Sequence, residues 1–287
     1  MSLASPELEI QTLDTAKKSL HGYMRLTCSR DAEGRSYLSR KEFRSPIHLS
    51  KPYWDGRNLL LNVMSPTAGL FAGDLIDVEV KVEPKASLIL SSPSSLRAHK
   101  MDTGFAAWNQ SFHVSQGAFL ETNPEWLIMQ GESDFRQNTE INLDPGAELF
   151  FIETLAPGRA AYGENFEFRR FKNRFHLYYD GQPAAIERYE IDRSKGAHRP
   201  WQAAFESPFY ASLFCVSEKL QDNEDLWIRI HKSQTDDLRI GSSALAKGPC
   251  WNIKLLSNDP IAARKTIAEI RELFYQSVGR GSTKLRR

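Results

Sequence analysis

Cysteine is scarce in this chain and unpaired by spacing: Cys28, Cys215 and Cys250 form no close thiol motif and leave an odd count. That argues against a disulfide framework and fits a reducing, intracellular setting. Long apolar runs are missing too. No segment approaches the roughly 18 consecutive apolar residues of a membrane-spanning helix. Residues 1–18 carry Glu7, Glu9 and Asp14 without the apolar core of a secretory signal. Neither membrane insertion nor secretion is expected. Nor does one sign of charge prevail: 37 basic and 36 acidic side chains give a formal net charge of +1, no electrostatic case for nucleic acid or an anionic membrane surface.

The familiar constellations of catalysis are absent as well. There is no GxGxxG, no Walker loop, no GxSxG elbow and no HExxH. The seven histidines, His21, His48, His99, His113, His176, His198 and His231, are scattered without metal-ligand spacing and none pairs with a cysteine in a zinc-like pattern. Nothing in the residues argues for an active site, and the chain is read as a non-enzyme.

What is present is core material in short pieces. Of 287 residues, 41% are hydrophobic and 11% aromatic, ample for a packed interior. From Leu59 to Ile191 brief apolar or alternating runs are separated by Gly, Pro, Asn and Asp, the pattern of successive strands and turns. Such runs are 59–63, 75–82, 87–90, 119–121 and 149–152. A repeat runs through them: Val82-Glu83-Pro84-Lys85-Ala86-Ser87-Leu88, Val114-Ser115-Gln116-Gly117-Ala118-Phe119-Leu120 and Leu143-Asp144-Pro145-Gly146-Ala147-Glu148-Leu149, with the alanines 32 and 29 residues apart. Strand, turn and strand recurring at that period predicts stacked coils, each burying a face it cannot bury alone; three ordinary hairpin turns in a sandwich are the alternative. The expected fold is mainly β, a β-helix-like stack with a small α-helical portion. It occupies residues 21–279, after a variable segment 1–20 and before a frayed basic tail 280–287, with a subdomain edge near 192–200. Residues 260–278 read as the surest helix, with Asn258 or Asp259 as cap, Pro260 in the first turn and Gly279 as stop.

Three carboxylates stand in apolar, strand-like surroundings: Asp74 after Gly69-Leu70-Phe71-Ala72-Gly73, Glu153 after Phe150-Phe151-Ile152, and Glu187 after Ala184-Ala185-Ile186. A buried carboxylate is costly unless it is paired, hydrogen-bonded or neutralised by a metal, so these positions point to a polar seam or channel. Solvent-facing edge positions or turn hydrogen bonds would account for them equally. Within Leu155–Glu164, two glycines flank Arg159 and precede Glu164, a pair able to order the loop by an ion pair.

The same residues carry a family resemblance. Ser65-Pro66-Thr67-Ala68-Gly69-Leu70-Phe71-Ala72-Gly73-Asp74 resembles the Pro-Pro-Gly-Gly-hydrophobic-hydrophobic-Gly-Gly-Asp signature of the UreD/UreH urease accessory proteins, with Thr67, Ala68 and Ala72 in place of glycines. The order continues through Ser91–Arg97, Gly117-Ala118, Asn123-Pro124-Glu125-Trp126, Glu153, Gly158-Arg159 with Gly163-Glu164, Arg174, Glu187-Arg188 and the C-terminal helix. Arg97 and His99 stand where the family usually has Lys and an aromatic, and the ending resembles the family's poorly.

The resemblance implies a β-helix-like fold, cytoplasmic location and assembly with UreF, UreG and apo-urease, with a homodimer within that complex as one arrangement. It also implies a water-filled route for nickel in transit, with no tightly bound cofactor. On that reading Asp74, Glu153 and Glu187 line or support the route, while Arg159, Glu164 and Arg97 serve a structural or partner-binding loop. Sparse oxygen ligands suit brief residence, since a His and Cys cluster would hold a first-row divalent ion too tightly for release. Two rivals stay open: a β-solenoid carbohydrate-active enzyme with paired carboxylates, and a binding module of the same fold without a nickel role.

Overall fold

The computed structural model describes residues 19–65, 67–220, 223–281, 283 and 285. Its frame is a β-solenoid of about four turns. A hairpin, β1 (His21–Arg30) and β2 (Ser36–Arg44), is followed by β3 (His48–Leu49), β4 (Tyr53–Asp55) and β5 (Asn58–Met64). The coils then run β6 (Leu75–Val82), β7 (Ser87–Ser91), β8 (Leu96–Ala98); β9 (Ala106–Val114), β10 (Phe119–Asn123), β11 (Leu127–Met129); β12 (Asp134–Leu143), β13 (Glu148–Leu155) and β14 (Arg170–Tyr179). Parallel pairing stacks β6, β9, β12 and β14 as one wall, and β5, β7, β10 and β13 as a second. β8 and β11, extended by bridges from Leu70 and Ala156, make a narrow third wall.

The sequence repeat is the corner between the first two walls. In each copy the alanine N–H donates to the carbonyl three residues back, Ala86 to Glu83, Ala118 to Ser115 and Ala147 to Asp144. Lys85, Gly117 and Gly146 take the left-handed conformation there, with φ of 62°, 68° and 74°. The alanine side chains are fully buried. A larger residue would push the corner away from the core, which explains the recurring Pro-Gly-Ala texture without any functional appeal.

Antiparallel strands cover both ends of the stack. β1 joins β6 in parallel and carries β2 outside it. At the far end β14 pairs with β15 (Gln182–Asp192), while β13 pairs with β16 (Phe209–Val216), followed across the sheet by β18 (Cys250–Ser257) and β17 (Leu238–Ala244). The 192–200 segment is a connector of tight turns between β15 and β16.

The second wall is covered on both faces. Leu59, Leu88, Leu120, Leu149 and Phe151 face the interior of the solenoid, whereas Leu60, Ile89, Phe119, Phe150 and Ile152 belong to an outer core with two helices, α1 (Glu224–His231) and α2 (Pro260–Ser277). Two-sided burial explains why β7, β13 and β16 read as nearly continuous apolar runs. In α2, Asp259 accepts the Ile261 N–H at 2.7 Å, Pro260 opens the first turn, and Gly279 follows at φ 67°. Ile267, Ile270, Phe274 and Tyr275 then form its buried face. α1 was not singled out by the sequence reading; its signal is the Asn223 cap, which accepts the Leu226 N–H, followed by Trp227 and Ile230.

The expected fraying beyond Gly279 does not hold for the described residues. Arg280 donates to Glu148 Oε2 at 2.8 Å and lies 3.8 Å from the Phe119 ring centroid. Thr283 is buried and accepts from Asn58 at 2.8 Å. An acceptor, Glu148, and a donor, the buried Asn58 amide, thus hold this segment. Lys284, Arg286, Arg287 and residues 1–18 lie outside the described residues.

Candidate functional site

Inward positions of the first wall change character along the stack. The row Ile76, Trp108, Gln137, Asn173 and the adjacent row Val78, Gln110, Thr139, Phe175 are in strand register. Apolar side chains in the first coil thus give way to amides and a hydroxyl in later ones. Below them Phe112, Phe151, Phe175 and Phe214 follow one another at 5.4, 5.8 and 4.0 Å between ring centroids and close the interior. Above this floor lies a cavity of ≈ 140 Å³, lined by Gln110, Thr122, Asn123, Gln137 and Glu153 among others, and at one end by Ser65 and the exposed Ser94. Its volume would admit water, and these side chains offer the polar partners in a lining otherwise made by residues such as Val78, Leu90, Trp108 and Phe151.

Glu153 stands in this wall because β13 alternates. Phe150 and Ile152 turn to the outer core, and Phe151 and Glu153 turn inward. Gln137 Nε2 and Thr139 Oγ1 donate to Glu153 Oε1 at 2.7 and 3.1 Å, and Asn173 Nδ2 donates to Oε2 at 3.0 Å. Gln110 donates in turn to Thr139 at 3.1 Å. Burial pushes the Glu153 carboxyl up to about 7 against the opposing pull of the Asn173 and Gln137 hydrogen bonds, with the negative charge of Glu187 adding to the rise. Near neutrality the protonated and ionised forms are therefore both populated.

Glu187 lies on β15, beyond Glu153. One oxygen, Oε1, is 2.7 Å from Lys254 Nζ; the other, Oε2, is buried without a hydrogen-bond partner, as is Asn173 Oδ1. Unsatisfied acceptors beside a carboxylate that can lose its proton are what a cation or an ordered water would complete.

Asp74 is placed differently. Its Oδ1 accepts the Leu20 N–H at 3.0 Å and its Oδ2 the Phe71 N–H at 2.8 Å, so it ties the Gly69–Gly73 loop to the residue that leads into β1. It does not line the cavity. The neighbouring Gly69 and Gly73 have φ of 145° and 88°, and a Cβ on Gly69 would meet the Arg97 carbonyl at 2.4 Å. Thr67, Ala68 and Ala72 have no positive φ, so the loss of glycine there asks nothing of the backbone. Arg97 points to solvent, and its part in the fold is that carbonyl, which accepts the Leu70 N–H at 2.8 Å.

Arg159 and Glu164 do pair, Nε to Oε2 at 2.8 Å with a second contact through Nη2, and Glu164 also accepts the Gly131 N–H at 3.3 Å. The pair pulls its loop against the turn after β11. Gly158 is required where it stands: a Cβ would come within 2.7 Å of the Glu164 carbonyl. Glu153 and Glu187 are thus brought near one another, while Asp74 and the Arg159–Glu164 loop are structural supports elsewhere. Among the described residues no group of three or more His, Cys, Asp or Glu side chains is placed to hold a metal ion.

The family model for the UreD urease accessory protein matches residues 20–287. The chain belongs to that family. A urease accessory protein UreD from Opitutus terrae is 36% identical over 266 residues, spanning 90% of this chain and 96% of the relative. One from Acetivibrio thermocellus is 33% identical, spanning 85% and 94%, and a UreD 2 from Brucella canis is 29% identical, spanning 96% and 94%. No helix among the described residues is long and apolar enough to cross a membrane.

Gln110, Gln137, Thr139 and Asn173 were missed from the sequence, although a signal existed. Each falls on the inward phase of its strand, between residues such as Trp108 and Phe112, or Phe171 and Phe175, that make up the core stripe. A polar side chain in that phase is as informative as a buried acid.

Proposed function

We propose that this chain is a non-catalytic scaffold of urease maturation, acting in the cytoplasm with UreF and UreG on apo-urease, and that its solenoid interior conducts nickel. A homodimer within that assembly is part of the proposal. The observation that supports it most directly is Glu153: a buried carboxylate beside the interior cavity, held by neutral amides and a hydroxyl rather than by a fixed cation. Such a group takes a divalent ion by releasing a proton and gives it up again, because the other ligands on offer are oxygens that bind a first-row metal weakly. Glu187 and Asn173 extend the oxygen-lined path, and Asp74 supports it by fixing the loop at the start of β6.

The paired-carboxylate enzyme reading has less support. It needs two acids across one open cleft, whereas Asp74 is committed to backbone amides and Glu187 to Lys254.

The test is co-expression of a urease cluster with the parent, with Glu153→Gln and without this chain, scoring urease activity, urease nickel and recovery of the accessory complex. Conduction predicts an intact complex and nickel-poor urease for Glu153→Gln. Nickel content unchanged by removal of the whole chain would eliminate the scaffold role; unchanged nickel in Glu153→Gln alone would eliminate the carboxylate path.

A further inference from the structure

The outward face of the first wall is electrically uneven. At its β2 end the charges pair within the sheet: Arg40 meets Glu42 at 2.9 Å and Glu79 at 3.7 Å. At the β15 end Arg174 of β14 stands directly opposite Arg188 of β15, and Arg136 of β12 is in register with Lys172 of β14. Among the described residues none of these four has a carboxylate oxygen within 4.0 Å. Glu190, opposite Lys172, lies 3.8 Å from Lys195 instead, and Glu140, in register with His176, accepts from Asn142 at 3.0 Å. Arg188 Nη2 donates to His176 Nε2 at 3.1 Å, so that imidazole is neutral. Burial and the charge of Arg188 hold His176 below its ordinary value, with Arg174 adding to the effect and Glu140 opposing it. The fold gains nothing from this arrangement, since like charges directly opposite one another weaken a sheet.

The same strand is the free edge of that wall. Pro183 and a register shift at Tyr178 interrupt the start of β15. From Ile186 to Ile191 no such device intervenes, and among the described residues the backbone of this stretch bonds only to β14. Ile186, beside Arg188 on the outward face, is 54% exposed. We propose that β15 is a docking edge for an extended, acidic segment of a partner protein, added as a further strand with carboxylates over Arg188 and Arg174 and an apolar side chain against Ile186. Main-chain pairing supplies affinity in such a mode, and the side chains select the sequence. Arg174, one strand further in, is about 10 Å from the added strand, within the combined reach of a guanidinium and a glutamate. A second copy of β15 fits badly, because it brings the same cations to the seam.

The plain alternative is that the arginines merely keep a bare edge soluble. A labelled peptide of about ten alternating glutamates and valines, the length of a long strand, separates the two when titrated into the full chain. Two controls accompany it: the lysine and valine counterpart, and the glutamate peptide methylated on every backbone nitrogen. Only the unmethylated glutamate peptide is expected to bind, and at saturation it should slow hydrogen exchange of the Ile186–Ile191 amides. Arg174→Gln with Arg188→Gln should weaken binding about tenfold, the loss of two exposed ion pairs. The melting temperature of that double variant should equal or exceed the parental one, because a like-charge contact has gone. Absence of binding, equal binding of the methylated peptide, or parental affinity in the double variant overturns the proposal. So does a dimer in sedimentation that the double variant strengthens and the peptide cannot dissociate, which would make a second copy the occupant.

Discussion

Arg271 of α2 grips Glu121 of β10 at two points, Nε to Oε1 at 2.5 Å and Nη2 to Oε2 at 3.0 Å, with both side chains sealed from water. The Tyr275 hydroxyl donates to the same Oε2, and Arg271 Nη1 donates to the Thr283 carbonyl at 2.9 Å. Helix, coil and C-terminal segment therefore meet at one carboxylate. Arg271→Ala strands that charge in the outer core and is expected to cost about 3–5 kcal/mol in urea denaturation. Removing both charges together, as Glu121→Leu with Arg271→Met, should cost markedly less, because nothing charged is left behind. A double variant no more stable than Arg271→Ala would show that the pair's geometry, not its desolvated charge, dominates.

Much of the fold was legible because a solenoid writes its period into the chain. Ala86, Ala118 and Ala147 sit at the same corner of successive coils, so 32- and 29-residue spacing reported the coil length directly. The caps on α2 were equally local. The passage was less legible for a physical reason: alternation says which residues share a face, but not what lies across it. Asp74 and Glu153 look alike in sequence, each an acid after an apolar run; one meets the backbone N–H groups of Phe71 in its own loop and of Leu20 ahead of β1, the other meets amides from β12 and β14. The partner of Glu187 comes from β18, 67 residues onward by numbering, and no local pattern announces it.

The corner conformations carry their own test. A Cβ on Gly117 or Gly146 meets nothing closer than 3.5 Å, so Gly117→Ala or Gly146→Ala isolates the cost of the left-handed backbone. Each is expected to lose about 1 kcal/mol, the steric penalty net of the entropy lost by the unfolded chain. Lys85→Gly should change with the opposite sign. Chemical denaturation of the three variants side by side measures all of this, and a neutral Gly146→Ala would remove the backbone explanation for the repeat.

The cysteines should behave as core residues. Cys28, Cys215 and Cys250 are free and buried. Burial, with a smaller contribution from Glu83, pushes the Cys28 thiol up to about 12; burial does the same for Cys250 and raises Cys215 as well. Thiolate is the reactive form, so an aromatic disulfide reagent at pH 8 should label none of the three in the native protein and all three after denaturation. Rapid native labelling of any one would show that its strand opens locally.

Glu153 gives the stability of the chain a definite pH dependence. Its carboxyl is pushed from an ordinary 4.5 up to about 7, so between those values the folded state binds a proton that the unfolded state has released. Stability from this group is complete below about 4.5 and declines as the pH rises through 7, in total by on the order of 3 kcal/mol. The groups facing it, Gln137, Thr139, Asn173 and Glu187 with its Lys254, supply no cation aimed at Glu153 itself. Glu153→Gln keeps the shape and removes the charge. The variant should match the parent near pH 5 and exceed it at pH 8, with the difference in melting temperature growing across that interval. Parallel profiles for variant and parent would mean that Glu153 stays ionised throughout, and its proton exchange would drop out of the account of cation passage. A divalent cation added to the parent at pH 8 should recover part of the lost stability, and recover less in Glu153→Gln, because only the ionised carboxylate gains by taking it.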